Sequence, residues 1–280
     1  MSRNQDRLGG VQQPDTTPPP QTMNEGGFSF VVPTEFVELP SEGKHYPEGH
    51  PLRGETSVEI KQMTAKEEDM LTSRTLLKKG VALDRVLASV ISDKSIDPDS
   101  LLIGDRNAVI VATRVSGYGN IYSTKVNCPA CGEAQEYSFD LNAAEIYSGT
   151  DDNIDVTSNN DGTFDVVLPR TGITATFRLL NGYDEKKITS GAEMDKKQKI
   201  ERNVTRQLSA MLVSANGDSS AQAINYLVEN LPSVDSRHLR LAYRQTAPNV
   251  DLTQHFECSA CNHEQDMEVP LSADFFWPDR

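Results

Sequence analysis

Apolar residues along the chain recur first at alternating positions, then at helical spacing, then at alternating positions again. FSFVVPTEFVELP at 28–40 is β-branched and aromatic, broken by Pro33 and Pro40, and predicts extended chain; SEGKHYPEGHPLRGE behind it is a loop by its Gly and Pro content. TSVEIKQM at 56–63 alternates as a strand does. Thr64 followed by Glu67 fits a capping box, opening a helix that carries Met70, Leu71, Leu76 and Leu77 as far as Gly80. VALDRVLASVIS at 81–92 predicts a second helix. A third begins near Asp105, carries Ala108, Val109, Val111 and Ala112, and stops at the glycines of SGYG.

Alternation then returns. IYSTKVN and EYSFDL predict two short strands on either side of a C-x-x-C, and the polar, acidic SGTDDNIDVTSNND at 148–161 predicts a loop. FDVVLP and ITATFRLL, joined by RTG with Gly172 in the turn, predict a hairpin over 164–180. Residues 184–218 are mainly helical in pattern, with Leu208, Met211 and Leu212 able to face a core. Two shorter helices are expected at 220–231 and 234–247. The tail reverts to strands, DLTQHFE and DMEVPL around a second C-x-x-C, and closes on DFFWPDR.

Residues 1–27, rich in Gln, Pro, Thr and Gly, hold too few apolar side chains to offset the entropy of ordering and are expected to be a disordered arm. Charge narrows the partners. With 41 Asp+Glu against 27 Lys+Arg, a formal charge of −14 repels nucleic acid and anionic lipid. No apolar run approaches the ~20 residues that span a bilayer, and MSRNQDRLGG has no signal-peptide core. The expectation is a soluble protein of a reducing cytoplasm, where thiols stay free for metal.

The only four cysteines arrive as two similar segments, TKVNCPACGEAQEYSFDL and QHFECSACNHEQDMEVPL, separated by most of the chain. Each runs from a strand into C-x-x-C and out into another strand. One C-x-x-C turn presents two sulfurs on one side, so two turns can complete a tetrahedral shell around one Zn2+ with Cys128, Cys131, Cys258 and Cys261 as ligands. Their meeting requires the long insertion between them to return on itself. A redox pair would want a strand-to-helix setting that neither copy has. His255 or His263 could stand in as a ligand, but four thiolates already fill the shell. Such a shell leaves no open position, so the metal would be structural.

Together these features predict an α+β chain: a helical unit plus a split four-cysteine zinc ribbon of short β-hairpins, with an inserted hairpin and helices. The expected boundaries are 1–27 for the arm, 28–116 for the extended segment and helical unit, and 117–280 for the ribbon with its insertion. The chain carries no Gly-rich phosphate loop, nucleophile elbow or H-E-x-x-H, and its five histidines form no ligand or triad spacing. No catalytic residue, organic cofactor or small-molecule substrate is expected. Zinc ribbons also occur in nucleic-acid proteins, which leaves a zinc-ribbon adaptor or transcription-associated protein as the alternative. The acidic residues beside both knuckles, Glu133, Glu136, Asp140, Glu257, Glu264, Asp266 and Glu268, argue against a phosphate backbone as partner.

Three segments in order, LPSEGKHYP at 39–47, RVSGYGNIYSTKVNCPACG at 114–132 and DFFWP at 274–278, resemble the baseplate hub proteins of T-even-type contractile-tailed bacteriophages. The likeness covers roughly residues 30–280. It implies a non-enzymatic structural or assembly role in the virion tail baseplate, assembled in the host cytoplasm, with other baseplate or tail hub proteins as partners. On that likeness Tyr46, Arg114, Tyr118, Tyr122, Phe275, Phe276 and Trp277 are candidates either for contacts with neighbours or for holding the fold.

Overall fold

The computed structural model describes residues 31–149, 153–270 and 273–276, so the expected arm at 1–27 and Trp277 lie outside the described residues. From Thr34 onward the chain forms one unit. Strands β1 (Thr34–Glu38) and β2 (Ser57–Lys61) pair antiparallel, Val37 opposite Val58. Helices α1 (Ala65–Thr72), α2 (Arg74–Lys78), α3 (Ala82–Val90) and α4 (Ile103–Tyr118) follow. Thr64 and Glu67 form the expected capping box of α1.

Two helix boundaries differ from the pattern. The single helix expected up to Gly80 is broken at Ser73, whose backbone is extended and whose hydroxyl caps α2 by accepting from the Leu76 N–H. The second helix stops at Val90 because Ile91 bridges to Ile60 and the Ser92 N–H donates to the Glu59 carbonyl. The free edge of β2 captures the end of the helix.

Strands β3 (Ile121–Asn127) and β4 (Ala134–Asp140) make the first cysteine hairpin, with Tyr122 opposite Phe139. The chain then enters a long insertion through β5 (Glu145–Tyr147). The insertion holds a four-stranded antiparallel sheet in the order β6 (Val156–Ser158), β7 (Thr163–Val167), β8 (Thr174–Arg178), β9 (Leu212–Ala215). It also holds α5 (Gly182–Lys197), α6 (Asn203–Met211), α7 (Ala221–Asn230) and α8 (Ser233–Thr246). The expected hairpin is β7–β8. Residues 156–158, expected in a loop, and 212–215, expected in a helix, are instead strands that extend it on either side. Leu212 is buried as expected, but opposite Phe177 in the sheet.

Strand β10 (Asn249–Asp251) leaves the insertion and pairs antiparallel with β5, Asn249 opposite Tyr147. This pairing is the neck that returns the chain to where it left. Gly149, in the left-handed region at φ 78°, lies so close to the Thr246 carbonyl that a Cβ would be 2.4 Å from that oxygen. Gly104 on α4 is equally tight against Pro248: a Cβ there would meet the Pro248 carbonyl oxygen at 1.9 Å. The second cysteine hairpin, β11 (Thr253–Glu257) and β12 (Glu264–Glu268), follows at once, and a 3-10 turn at Ala273–Phe276 ends the described chain.

Candidate metal centre

The two knuckles fold alike because their backbones close in the same way. The Cys128 N–H donates to the Glu133 carbonyl and the Gly132 N–H to the Cys128 carbonyl, each at 2.8 Å; Cys258 with His263, and Asn262 with Cys258, repeat the pattern at 2.9 Å. Both turns need a left-handed residue after the second cysteine, Gly132 at φ 74° and Asn262 at φ 53°. These are residue types that tolerate this conformation.

All four sulfurs lie within 4.8 Å of one another, with Cys128 to Cys261 and Cys131 to Cys258 each at 3.8 Å. A tetrahedron with metal–sulfur bonds of ~2.3 Å has edges of about 3.8 Å, whereas a disulfide needs ~2.05 Å. None of the four is in a disulfide. The donor set therefore fits a metal ion, and neither His255 nor His263 belongs to it. His263 instead meets the Gln265 side chain at 3.3 Å.

The electrostatics favour a cation. The Cys131 N–H, aided by the Ala130 N–H and the neighbouring thiols, stabilises the Cys128 thiolate and lowers its pKa to about 6. At Cys261 the His263 N–H works in the same direction, but desolvation and the hydrogen bonds with Cys131, Cys258 and Cys128 prevail and push it up to about 12. One proton leaves readily, and the next must leave beside a negative charge. A metal ion removes that opposition.

Side chains hold the two hairpins together; among the described residues no backbone ladder joins them. The Gln135 amide donates to the Glu257 carbonyl and accepts from the N–H and hydroxyl of Ser259. The Gln254 amide does likewise with the backbone of Asp140, accepting from its N–H and donating to its carbonyl. The Tyr137 hydroxyl donates to the His255 carbonyl, and its ring packs 5.0 Å from Phe139 and 5.1 Å from Phe256. The sequence pattern did hold a signal for these clamps. Gln135 shares its strand face with Tyr137 and Phe139, and Gln254 shares its face with Phe256.

Arg114 sits beneath the first hairpin with a relative exposure of 0%. Its guanidinium donates to three carbonyls, Phe275 at 2.7 Å, Gly119 at 2.6 Å and Ile121 at 3.2 Å, and lies over the rings of Tyr118 and Phe275. Among the described residues no carboxylate pairs with it. The three carbonyl dipoles, that of Gly119 at the C-cap of α4 among them, offset its charge together with the two ring faces. Tyr122 packs edge-on to Phe275 at 5.1 Å, and Phe275 to Phe276 at 5.3 Å. Tyr122, Phe275 and Phe276 are buried, while Tyr118 is half-buried and hydrogen-bonds Glu68.

Tyr46 lies in a separate buried knot. Its hydroxyl donates to Asp105 Oδ2 at 2.7 Å and accepts from the Leu102 N–H, while the Ser41 N–H and hydroxyl donate to Asp105 at 2.9 and 2.6 Å. Asp105 is fully buried, and desolvation raises its pKa despite these donors. His50 stacks on Tyr46 at 4.2 Å. Asp105 was visible in the sequence only as a helix-start residue; nothing there paired it with Ser41 of the LPSEGKHYP segment, 64 positions away.

Fold and site together define a mixed helix and sheet protein whose two distant cysteine hairpins meet in one four-sulfur site. The chain belongs to the T4 bacteriophage base plate protein family, whose model matches residues 32–277. No curated protein and no solved structure matches it significantly. The protein is thus a structural component of a phage tail baseplate and works among other phage tail proteins. Among the described residues no helix is long and apolar enough to cross a membrane.

Proposed function

We propose that this chain is a non-enzymatic structural or assembly component of the hub region of the baseplate, with one zinc ion held by Cys128, Cys131, Cys258 and Cys261. The observation that carries the zinc is the convergence of four sulfurs within 4.8 Å, with the Cys128–Cys261 and Cys131–Cys258 separations of 3.8 Å matching a zinc–thiolate tetrahedron. Four thiolates leave no position for substrate or water, so the ion acts by fixing the two hairpins. The likeness to hub proteins supplies the hub assignment. In this reading Tyr46, Arg114, Tyr122, Phe275 and Phe276 hold the surface that neighbours meet, while Tyr118 and Trp277 are the motif residues assigned to contact with them.

Tails assembled in infected cells lacking this chain test the assignment. The expected product is baseplate precursors defective at the centre, restored when the chain is supplied. Location at the baseplate periphery, or a salt-dependent shift of DNA by the purified chain, would overturn it.

A further inference from the structure

A cleft of about 460 Å³ opens between α5, α6 and α7 over the edge of the sheet formed by β8 and β9, and neither the cysteines nor the candidate contact residues line it. Four cations line it, Arg178, Lys187, Arg202 and Arg206, against the carboxylates of Asp184 and Glu229. Even with Asp195, which pairs with Arg202 and Arg206, the four cations outnumber three carboxylates in a chain of net charge −14.

The cleft is built rather than incidental. Arg178 is fixed by two hydrogen bonds to Asp184, at 2.7 and 2.8 Å. Arg206 reaches across α5 to Asp195, donating from Nε at 3.0 Å and Nη2 at 2.5 Å. It can do so because position 191 is glycine: a Cβ there would stand 1.8 Å from Arg206 Nη1. Arg202 shares the same Asp195 carboxylate at 3.3 Å, so one negative charge serves two guanidiniums. Lys187 has no ion-pair partner among the described residues and is exposed. Ile188, Leu212 and Val228 give the cleft apolar lining, and Asn225 and Glu229 add acceptors.

We propose that this cleft docks an acidic peptide segment of a neighbouring tail subunit. Carboxylates of the segment meet Lys187 and Arg202, an apolar side chain enters the cleft, and peptide N–H groups meet Asn225 and Glu229. A nucleic acid could use the cations, but beyond the cleft its phosphates would meet the surplus negative charge of the chain. Tyr226, 70% exposed and next to Asn225 on α7, supplies a flanking aromatic of the kind that anchors interfaces. This inference depends on neither the hub assignment nor the zinc.

The test uses the full chain and a fluorescent peptide alternating Glu and Leu, read by anisotropy at low ionic strength. Binding is expected, weakening roughly tenfold or more in the K187E/R202E variant, whose side chains are exposed, and absent for the Gln-Leu counterpart. Unchanged far-ultraviolet dichroism in the variant separates loss of charge from loss of fold. The proposal is overturned if the peptide fails to bind, if the variant binds as well as the parent, or if inorganic phosphate or duplex DNA competes as effectively as unlabelled peptide. Failure here would leave baseplate defects in cells lacking the chain unchanged, so the two readings fall separately.

Discussion

Ser41 reaches Asp105 across 64 positions and Cys131 reaches Cys258 across 127, yet the two junctions use opposite materials. At Asp105 one fully buried carboxylate collects three donors. The chain supplies everything that junction needs. At the cysteines four sulfurs converge within 4.8 Å of one another, on hairpins whose outward faces are exposed and polar. Such hairpins bury few side chains of their own, and a two-stranded unit is marginal alone. The Asp105 junction is closed by the chain's own groups, whereas under the proposed zinc reading the cysteine junction is closed by an ion the chain must acquire.

Metal removal should separate the two regions most. Structural zinc sites contribute on the order of 10 kcal/mol of apparent binding energy, so a strong chelator should expose amides in 121–140 and 253–268 to hydrogen exchange. Protection around Ser41, Tyr46 and Asp105 should persist, and Cys258→Ser should reproduce the pattern. The converse perturbation is Asp105→Ala, which strands the Ser41 and Tyr46 donors and should cost about 3–5 kcal/mol in denaturant unfolding. That variant should still retain its metal while folded.

The Asp105 side should also respond to pH. Desolvation lowers the pKa of His45 and of His50, and the His50 Nδ1 accepts from the Leu52 N–H. The unfolded chain therefore binds these protons more tightly, so their stability is present above the ordinary value of 6.5 and drains away as pH falls below it. Asp105, raised by burial, works in the opposite direction, losing stability as pH rises above the ordinary carboxylate range. The difference in unfolding free energy between the parent and H45N/H50Q should shrink as pH falls from 7 to below 6, a comparison that leaves Asp105 in place. The smallest effect lies within the knuckles. Gly132→Ala should cost about 1 kcal/mol for its left-handed backbone, with open space around the new methyl, and Asn262→Gly should stabilise by a few tenths. Thermal unfolding of the metal-loaded protein reads both.

The pairing of the knuckles was open to sequence reasoning because cysteine chemistry is local and sparse: four residues, two spacings and nothing left over. The helices were open in part, from capping Thr64 to the stop at Gly119, while the break at Ser73 and the stop at Val90 were not. Most of what escaped was set by partners far along the chain. Val156–Ser158 looked like loop because an edge strand of three residues has too short a pattern to read, and Leu212–Ala215 looked helical because it continues α6 without a break. The neck between β5 and β10 was required by the cysteines but carried no signature of its own beyond two glycines, Gly104 and Gly149, whose role is only to let backbones touch.

The most direct measurement is the metal content of the purified full chain, by elemental analysis and native mass spectrometry, alongside the count of thiols that react before and after chelation. One zinc per chain is expected, with four thiols protected while it is bound, four reactive once it is removed, and no zinc retained by Cys258→Ser. A metal-free chain with its hairpins fully protected from exchange, or zinc bound while all four thiols react freely, would contradict the account.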